Sequence, residues 1–377
     1  MRALVLNAGS STLKWAVLDT AERRALAAGD EPWRAGEAAA RAEQVEALLR
    51  RVPAFDVAGH RIVHGGLRYT AAAVVDRQVR ADLDALAALD PLHMQPALAG
   101  VDAVARAAPA SVQVAAFDTA FHATMPEAAA GYGLPYAWTE RWGLRRFGFH
   151  GLSVAYAAGR VRELLGRVPP RTIVCHLGSG CSVTALADGR SVDTTMGFTP
   201  LEGVMMATRA GSVDPGLLLH LQARCGVGLD ELAEVLQHGS GLLGVSGVSA
   251  DLREVQAAAD GGDPRAKLAC ERFTLTLRRA VGAMAGVLEG VDAIVFTGGI
   301  GEHSARVRGD VAAALRFAGL ELDAGPGAAD GDRVISTGAS AVVALVIAAR
   351  EDLVILDEVV RLTGPGAGAA PPARARP

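Results

Sequence analysis

The 377-residue chain is short of lysine, cysteine and aromatic side chains, and each shortage narrows what it can be. Only Lys14 and Lys267 occur, so nearly all positive charge is carried by arginine. With the heavy use of alanine, that is a compositional bias: a single arginine carries little weight and a retained lysine slightly more. The four cysteines, Cys175, Cys181, Cys225 and Cys270, form no CxxC pair and no zinc spacing. They read as buried or incidental thiols of a reducing compartment. Lys+Arg 37 against Asp+Glu 41 gives a net charge of −4, without the basic excess of a nucleic-acid binder, so no nucleic-acid partner is expected. No long apolar run is present either. The longest late one, residues 341–349, is about half of what a bilayer requires, and MRALVLNAGSS is too short for a signal-peptide core. The expectation is a cytoplasmic protein with no membrane partner.

What is present is apolar material for large cores. Half of the residues are hydrophobic and 21% are charged, which excludes a mostly disordered chain, and the length suggests two or three domains. Residues 3–18 read as strand, Gly-Ser turn, strand. Residues 20–58 are rich in Ala, Glu and Arg and read as helical and linker-like, 59–66 as a short strand, about 79–108 as helix, and 112–118 as a buried strand ending on an acid. Residues 171–187 repeat the opening pattern, strand, Gly-rich turn, strand, and a further strand ends in Asp193-Thr194-Thr195. The spacing of Phe273, Leu277, Val281, Met284 and Leu288 predicts an amphipathic helix. It feeds a buried strand at 291–297, a glycine loop, and a helix from about Ser304 to Phe317 stopped by Gly319. Strands alternating with helices, with one strand–turn–strand unit per half, point to a duplicated α/β fold.

Three of the turns after buried strands are glycine-rich: Gly9-Ser10-Ser11, Gly178-Ser179-Gly180 and Gly298-Gly299-Ile300-Gly301. Without a Cβ in the way, backbone N–H groups of such turns can converge on an anion. None is a Walker A loop or a GxGxxG fingerprint, and any one alone is an ordinary tight turn. Three together suggest a nucleoside triphosphate held by two related lobes, with Lys14 either a point charge for phosphate or a surface lysine. Polar groups also sit in apolar settings: His60-Arg61, His64, Asp118, His122, His150 and Arg209. Each has a bland reading, a satisfied core histidine or, for Arg209, the cap of a helix suggested by LEGVMMAT. The sharper reading is one cleft with cations for a migrating phosphoryl group and carboxylates for Mg²⁺.

The set NAGSSTLKW, HRIVHGG, FDTAFH, RRFGFHG, HLGSG, DTTMGFTPLEGVMMATRAGSVDPG and FTGGIGEH, in that order from Asn7 onward, resembles the acetate/propionate kinases. The resemblance implies the two-lobed, duplicated acetate and sugar kinase/Hsp70/actin (ribonuclease H-like) fold, usually as a homodimer, with lobes that close over the substrates. It implies Mg²⁺-dependent transfer of a phosphoryl group between ATP and acetate, giving ADP and acetyl phosphate, with Mn²⁺ able to replace Mg²⁺. It places Asn7, Ser10, Ser11 and Lys14 at the first phosphate loop, and Arg61 and Arg209 on the acyl substrate and the phosphoryl group. Asp118 and Glu351 would organise the metal, Asn7 and Glu351 as its ligands, and His150 would contact the phosphoryl group in flight. His93 and His176 would line the cleft, and Phe149 and Pro200 would shape a pocket for the acyl methyl. Gly178, Ser179 and Gly180 would hold phosphate, and Asp251, Leu252, Arg253, Gly299, Ile300, Gly301 and His303 the nucleotide.

The implied lobes are residues 1–120 with 353–363, which carry the first phosphate loop and the acyl side, and 121–352, which carry the nucleotide. Residues 364–377 read as a disordered Gly/Ala/Pro tail. The chain departs from the family pattern at Ser179 (HLGSG for HLGNG) and His303 (GEHS for GENS), changes that bear on nucleotide affinity and donor choice. Ser212 stands where an acid is common and 91–96 is one residue longer, changes that bear on rate or acyl preference.

Overall fold

The computed structural model describes residues 1–9, 12–33, 38–88, 91–323 and 331–364, without the side chains of 38, 39 and 91–93. Ser10, Ser11, the His93 side chain and residues 365–377 of the expected tail lie outside the described residues. The chain divides into two compact units: unit 1 is Met1–Ala123, Phe149–Tyr156 and Arg350–Pro377, and unit 2 is Thr124–Gly148 and Ala157–Ala349.

Unit 1 holds β1 (Arg2–Ala8), β2 (Thr12–Asp19), β3 (Arg24–Pro32), β4 (Val57–Ile62), β5 (Ala73–Val74) and β6 (Val112–Phe117), in the order β3-β2-β1-β4-β6-β5. Unit 2 holds β7 (Arg171–Leu177), β8 (Cys181–Ala187), β9 (Arg190–Thr194), β10 (Ala293–Thr297), β11 (Arg333–Val334) and β12 (Val343–Val346), in the order β9-β8-β7-β10-β12-β11. The two sheets share one topology. The first three strands of each form an antiparallel meander, the first strand pairs parallel with the fourth and the fourth with the sixth, and a two-residue fifth strand runs antiparallel at the edge. The duplication expected from the two strand–turn–strand units is therefore present in the whole of each sheet.

The apolar runs are continuous because the central strands are covered on both faces. Along β1, Leu4, Leu6 and Ala8 enter one core with Leu98 and Val101 of the helix Pro91–Ala107, while Ala3 and Val5 enter another with Ile355, Leu356 and Val359 of the helix Glu351–Thr363. Period-two alternation distributes one strand between two cores. Helix Glu351–Thr363 sits close to β4 because Gly59 has no side chain. A Cβ there would stand 2.5 Å from Ile355 Cγ2 and 2.8 Å from Val359 Cγ2. Gly59→Val should therefore cost about 1–3 kcal/mol by overpacking. It should also weaken any function of Glu351, the first residue of that helix. Chemical denaturation and the Mg²⁺ dependence of activity check the two effects.

Two expectations are corrected. Residues 24–32 are not helical but the edge strand β3, whose register on β2 runs from Thr12 opposite Pro32 to Asp19 opposite Arg24. The Ala-rich composition favours helix, but pairing with an open strand edge overrides a weak local propensity. The glycine loop after β10 is instead the short helix Gly298–His303, begun at a Gly298 with φ of +77°. The next helix stops as expected, in a 3₁₀ turn capped by Gly319 at φ +80°. No helix of the described residues is long and apolar enough to cross a membrane.

Candidate active site

In unit 1 the parallel strands deliver their polar residues to one edge. β1, β4 and β6 run in the same direction; Asn7 and Arg61 are the last residues but one of β1 and β4, and Asp118 directly follows β6. The carboxyl edge of parallel strands is where such sheets bind ligands. Asp118 is fully buried and takes the Arg61 guanidinium as a fork: Nε donates to Oδ1 at 3.1 Å and Oδ2 at 3.0 Å, and Nη2 to Oδ2 at 2.5 Å. Arg61 Nη1 donates to Asn7 Oδ1 at 3.1 Å, and Asn7 Nδ2 donates to Glu351 Oε2 at 2.7 Å. Glu351 Oε2 lies 3.8 Å from Arg61 Nε, and the two side chains are 15% and 13% exposed. One guanidinium is thus held among two carboxylates and an amide.

The surroundings of this cluster are closely packed. Gly151 N donates to Asp118 O at 2.9 Å, and a Cβ on Gly151 would stand 2.1 Å from that oxygen. His150 just before it adopts φ +60°, a left-handed conformation that costs a non-glycine residue. His64 meets Phe149 edge-on, ring centroids 5.6 Å apart, and its Nδ1 accepts from Gly66 N at 2.9 Å. His122 Nε2 donates to Phe149 O at 3.0 Å, so its proton sits on Nε2. Burial lowers its pKa to about 4, against the smaller opposing effect of that hydrogen bond. Burial likewise lowers His60 to about 4 against its bond to Gln113. Both rings are neutral in the folded protein at neutral pH. Between pH 6.5 and 4 the unfolded chain takes up protons that the folded one refuses, so stability should fall as pH falls through that window. The loss should reach roughly 3 kcal/mol per histidine by pH 4, and urea unfolding at pH 7 and pH 4 measures it. His60→Gln should remove part of the slope.

Unit 2 gathers the other candidates. His176 lies on β7 opposite Ser182 of β8, and the turn between these strands is closed by Gly178 N donating to Gly180 O at 2.9 Å. Ser179 is exposed at its tip, and its carbonyl accepts from Ala207 N at 3.1 Å. Arg209 Nη1 donates to Pro200 O at 3.2 Å and lies 3.9 Å from Met206 Sδ. Residues 201–208 form no helix, so the reading of Arg209 as a helix cap does not hold. Gly299, Ile300 and Gly301 lie in the helix Gly298–His303, and His303 Nδ1 takes up its own helix's Gly299 O at 2.9 Å. Asp251 caps the helix Leu252–Asp260 by accepting from Arg253 N at 2.8 Å, and forks with the Arg253 guanidinium. Leu252 is buried beside them. Lys14 is a surface lysine, 65% exposed and 4.0 Å from Asp30 on the neighbouring strand.

No group of three or more His, Cys, Asp or Glu among the described residues could hold a metal ion by itself. That suits Mg²⁺, which uses one or two carboxylates and takes its remaining ligands from phosphate and water. Glu351 fits: Oε2 is engaged by Asn7, and Oε1 makes no hydrogen bond among the described residues.

Residues that the sequence reading missed brace the helix Gly298–His303. Arg308, 3% exposed, donates to Gly301 O at 2.9 Å and Glu302 O at 2.7 Å, closing the end of the helix Gly298–His303. Glu302 Oε1 accepts from Ala349 N at 3.0 Å, two residues before Glu351. Tyr132, Arg146 and Glu202 form a third cluster. Two of these lie inside quoted motifs, but their partners are set by tertiary contacts that no spacing reveals.

The sequence profile of the acetokinase family matches residues 41–357. The acetate kinase of Carboxydothermus hydrogenoformans is 39% identical over 395 aligned positions, covering 96% of this chain and 99% of its own. Among solved structures, the acetate kinase of Porphyromonas gingivalis superposes with a TM-score of 0.86 at 34% identity, covering 96% of this chain and 99% of that one. A propionate kinase from Francisella tularensis subsp. tularensis gives 0.87 at 33%, covering 95% and 98%. The fold is accordingly that of the acetate and sugar kinase/Hsp70/actin class, and the chain belongs to the acetokinase family.

Proposed function

We propose that the protein is an acetate kinase, a phosphotransferase with a carboxyl acceptor that reversibly moves the γ-phosphoryl group of ATP to acetate, giving acetyl phosphate and ADP. The observation that carries this reading is the Arg61 guanidinium anchored on Asp118 beside Asn7 and Glu351. The reaction sets one anion against another. Two like charges about 4 Å apart repel by ~1 kcal/mol in water and ~4 kcal/mol at an effective dielectric near 20. Excluding water makes matters worse unless cations are supplied, and a guanidinium matches carboxylate and phosphate oxygens with paired N–H donors. Arg61 and Arg209 take that role, and both are held by oxygen acceptors on the protein.

Acetate is already deprotonated at neutral pH, so its attack needs no general base. Asp118 is the organiser of Arg61 rather than a proton acceptor. His150 steadies the phosphoryl group in flight, and Phe149 and Pro200 limit the acyl chain. Asn7 and Glu351 would hold Mg²⁺, which when bound with ATP neutralises phosphate charge. Lys14, Ser10, Ser11, His176, Gly178, Ser179 and Gly180 serve the phosphates. Asp251, Leu252, Arg253, Gly299, Ile300, Gly301 and His303 serve the nucleoside. Positioning and electrostatics suffice for direct in-line transfer; a kinetically competent phosphorylated enzyme would contradict it. The need for ATP supports a cytoplasmic setting. We infer a homodimer from the family likeness, which light scattering tests.

Trapping acyl phosphate as the hydroxamate, with ATP or pyrophosphate against acetate or propionate, tests the reading. Acetate with ATP should give the highest kcat/KM. Propionate should be poorer but real, since one methylene in an apolar pocket is worth about 1–3 kcal/mol. The similarity to the Francisella propionate kinase favours propionate as the second reading, and a reversed preference would establish it. Turnover with pyrophosphate alone would point to Ser179 and His303 as marks of another donor.

A further inference from the structure

Residues 195–203, TMGFTPLEG, belong to no helix and no strand, since β9 ends at Thr194. Backbone ladders therefore do not hold Pro200 in place. A side-chain cluster does. Tyr132 Oη donates to Glu202 Oε2 at 2.5 Å and accepts from Phe198 N at 2.8 Å. Arg146 Nη2 donates to Glu202 Oε1 at 2.7 Å, while its Nη1 reaches Thr194 O at 3.1 Å and Thr195 O at 3.0 Å. The guanidinium lies 5.6 Å from the Tyr132 ring centroid. Phe198 and Glu202 are thus pinned to the same tyrosine oxygen, and Pro200 is the arch between these two feet. The carbonyl at the top of the arch accepts from Arg209.

The meeting point is above Gly197, where a Cβ would stand 1.7 Å from Glu202 Oε2 and 2.2 Å from Tyr132 Oη. Only glycine lets the loop fold back so tightly. Burial and the neighbouring carboxylate raise the Tyr132 pKa, so the phenol stays a donor. Burial raises that of Asp193 as well, against the lowering effect of its bond from Thr194 N. Arg146, Glu202 and Asp193 are the charged groups in the cluster.

We propose that Glu202, with Tyr132 and Arg146, is the positioning residue for Pro200 and Arg209, and that this arch sets the preference for acetate over the next longer acid. The proposal rests on the acetate kinase reading. Glu202 touches no substrate; it acts through the loop it holds. A shift of about 1 Å in such a support can cost around 10²-fold in rate, and a pocket that discriminates by one methylene is sensitive to movements of that size.

The test uses the full chain and the variants Glu202→Gln and Tyr132→Phe, with kcat and KM measured separately for acetate, propionate and ATP, together with thermal melting. For Glu202→Gln, KM for acetate should rise about 10- to 100-fold while KM for ATP moves by less than about twofold. The propionate-to-acetate ratio of kcat/KM should rise at least about threefold. Tyr132→Phe, which removes one oxygen and keeps the ring, should show a smaller change in the same direction, and the double variant should be less than additive. Variants that melt earlier but keep the acetate KM and the ratio, or whose KM for ATP rises in step, would overturn the proposal. An unmodified chain that makes no acyl phosphate sinks the acetate kinase reading and the arch with it. An active chain with an unmoved ratio in both variants sinks the arch alone.

Discussion

Arg61→Lys should fold normally and lose about 10²–10³ in kcat/KM, the usual loss for one fixed donor to a developing charge. Lysine keeps the positive charge and can still pair with Asp118. It cannot bridge Asp118 and Asn7 at once, as the three guanidinium nitrogens do, because an ammonium is a point donor without a planar fork. Arg61→Gln removes the charge and should lose about 10³–10⁵, the range found where a cation meets a transferring phosphoryl group. The order arginine, lysine, glutamine separates geometry from charge. Melting curves guard against a trivial cause, since removing one partner of a buried pair destabilises by about 3–5 kcal/mol. If lysine and glutamine lose equally, charge at this position is not what the reaction uses.

Asp118→Asn should lower kcat by about 10²–10³ while leaving the pH dependence above neutrality unchanged. The asparagine still offers one oxygen to Arg61, but the guanidinium then leans toward Glu351, 3.8 Å away, and Asn7. Because acetate carries no proton to remove, neither the parent nor the variant should show a rising limb between about pH 6 and 9 that reports a base at this position. His122 adds no limb there either, its pKa having been lowered to about 4 by burial. A limb present in the parent and lost in Asp118→Asn would make Asp118 a proton acceptor after all. kcat against pH, with a solvent isotope comparison, decides it.

Much of the fold was legible because the buried strands announce themselves: ALVLN, VQVAAF, TIVCHL and AIVFT are short apolar runs bounded by turn residues, and each is a strand. β3 was not legible, since RALAAGDEP is an exposed edge whose pairing depends on β2. At the site, Arg61 and Asp118 stood out as polar residues in apolar settings, Asn7 came through family likeness, and the register of three parallel strands brings them together. Glu351 was found through family likeness alone; its place depends on Gly59 admitting the last helix, a contact across almost three hundred positions. Lys14 is 65% exposed and 4.0 Å from Asp30, a setting open to phosphate and to water alike, which no motif distinguishes. Tyr132, Arg146 and Glu202 were missed because a supporting cluster has no spacing of its own.

Chemical rescue of Arg61→Ala tests the account most directly. The account holds that a guanidinium at this place offsets the repulsion between two oxyanions, so free guanidinium at millimolar concentration should restore at least about tenfold of the lost kcat/KM, and ammonium much less. A folded Arg61→Ala protein that turns acetate over at close to the parent rate, or that guanidinium leaves unchanged, would contradict it.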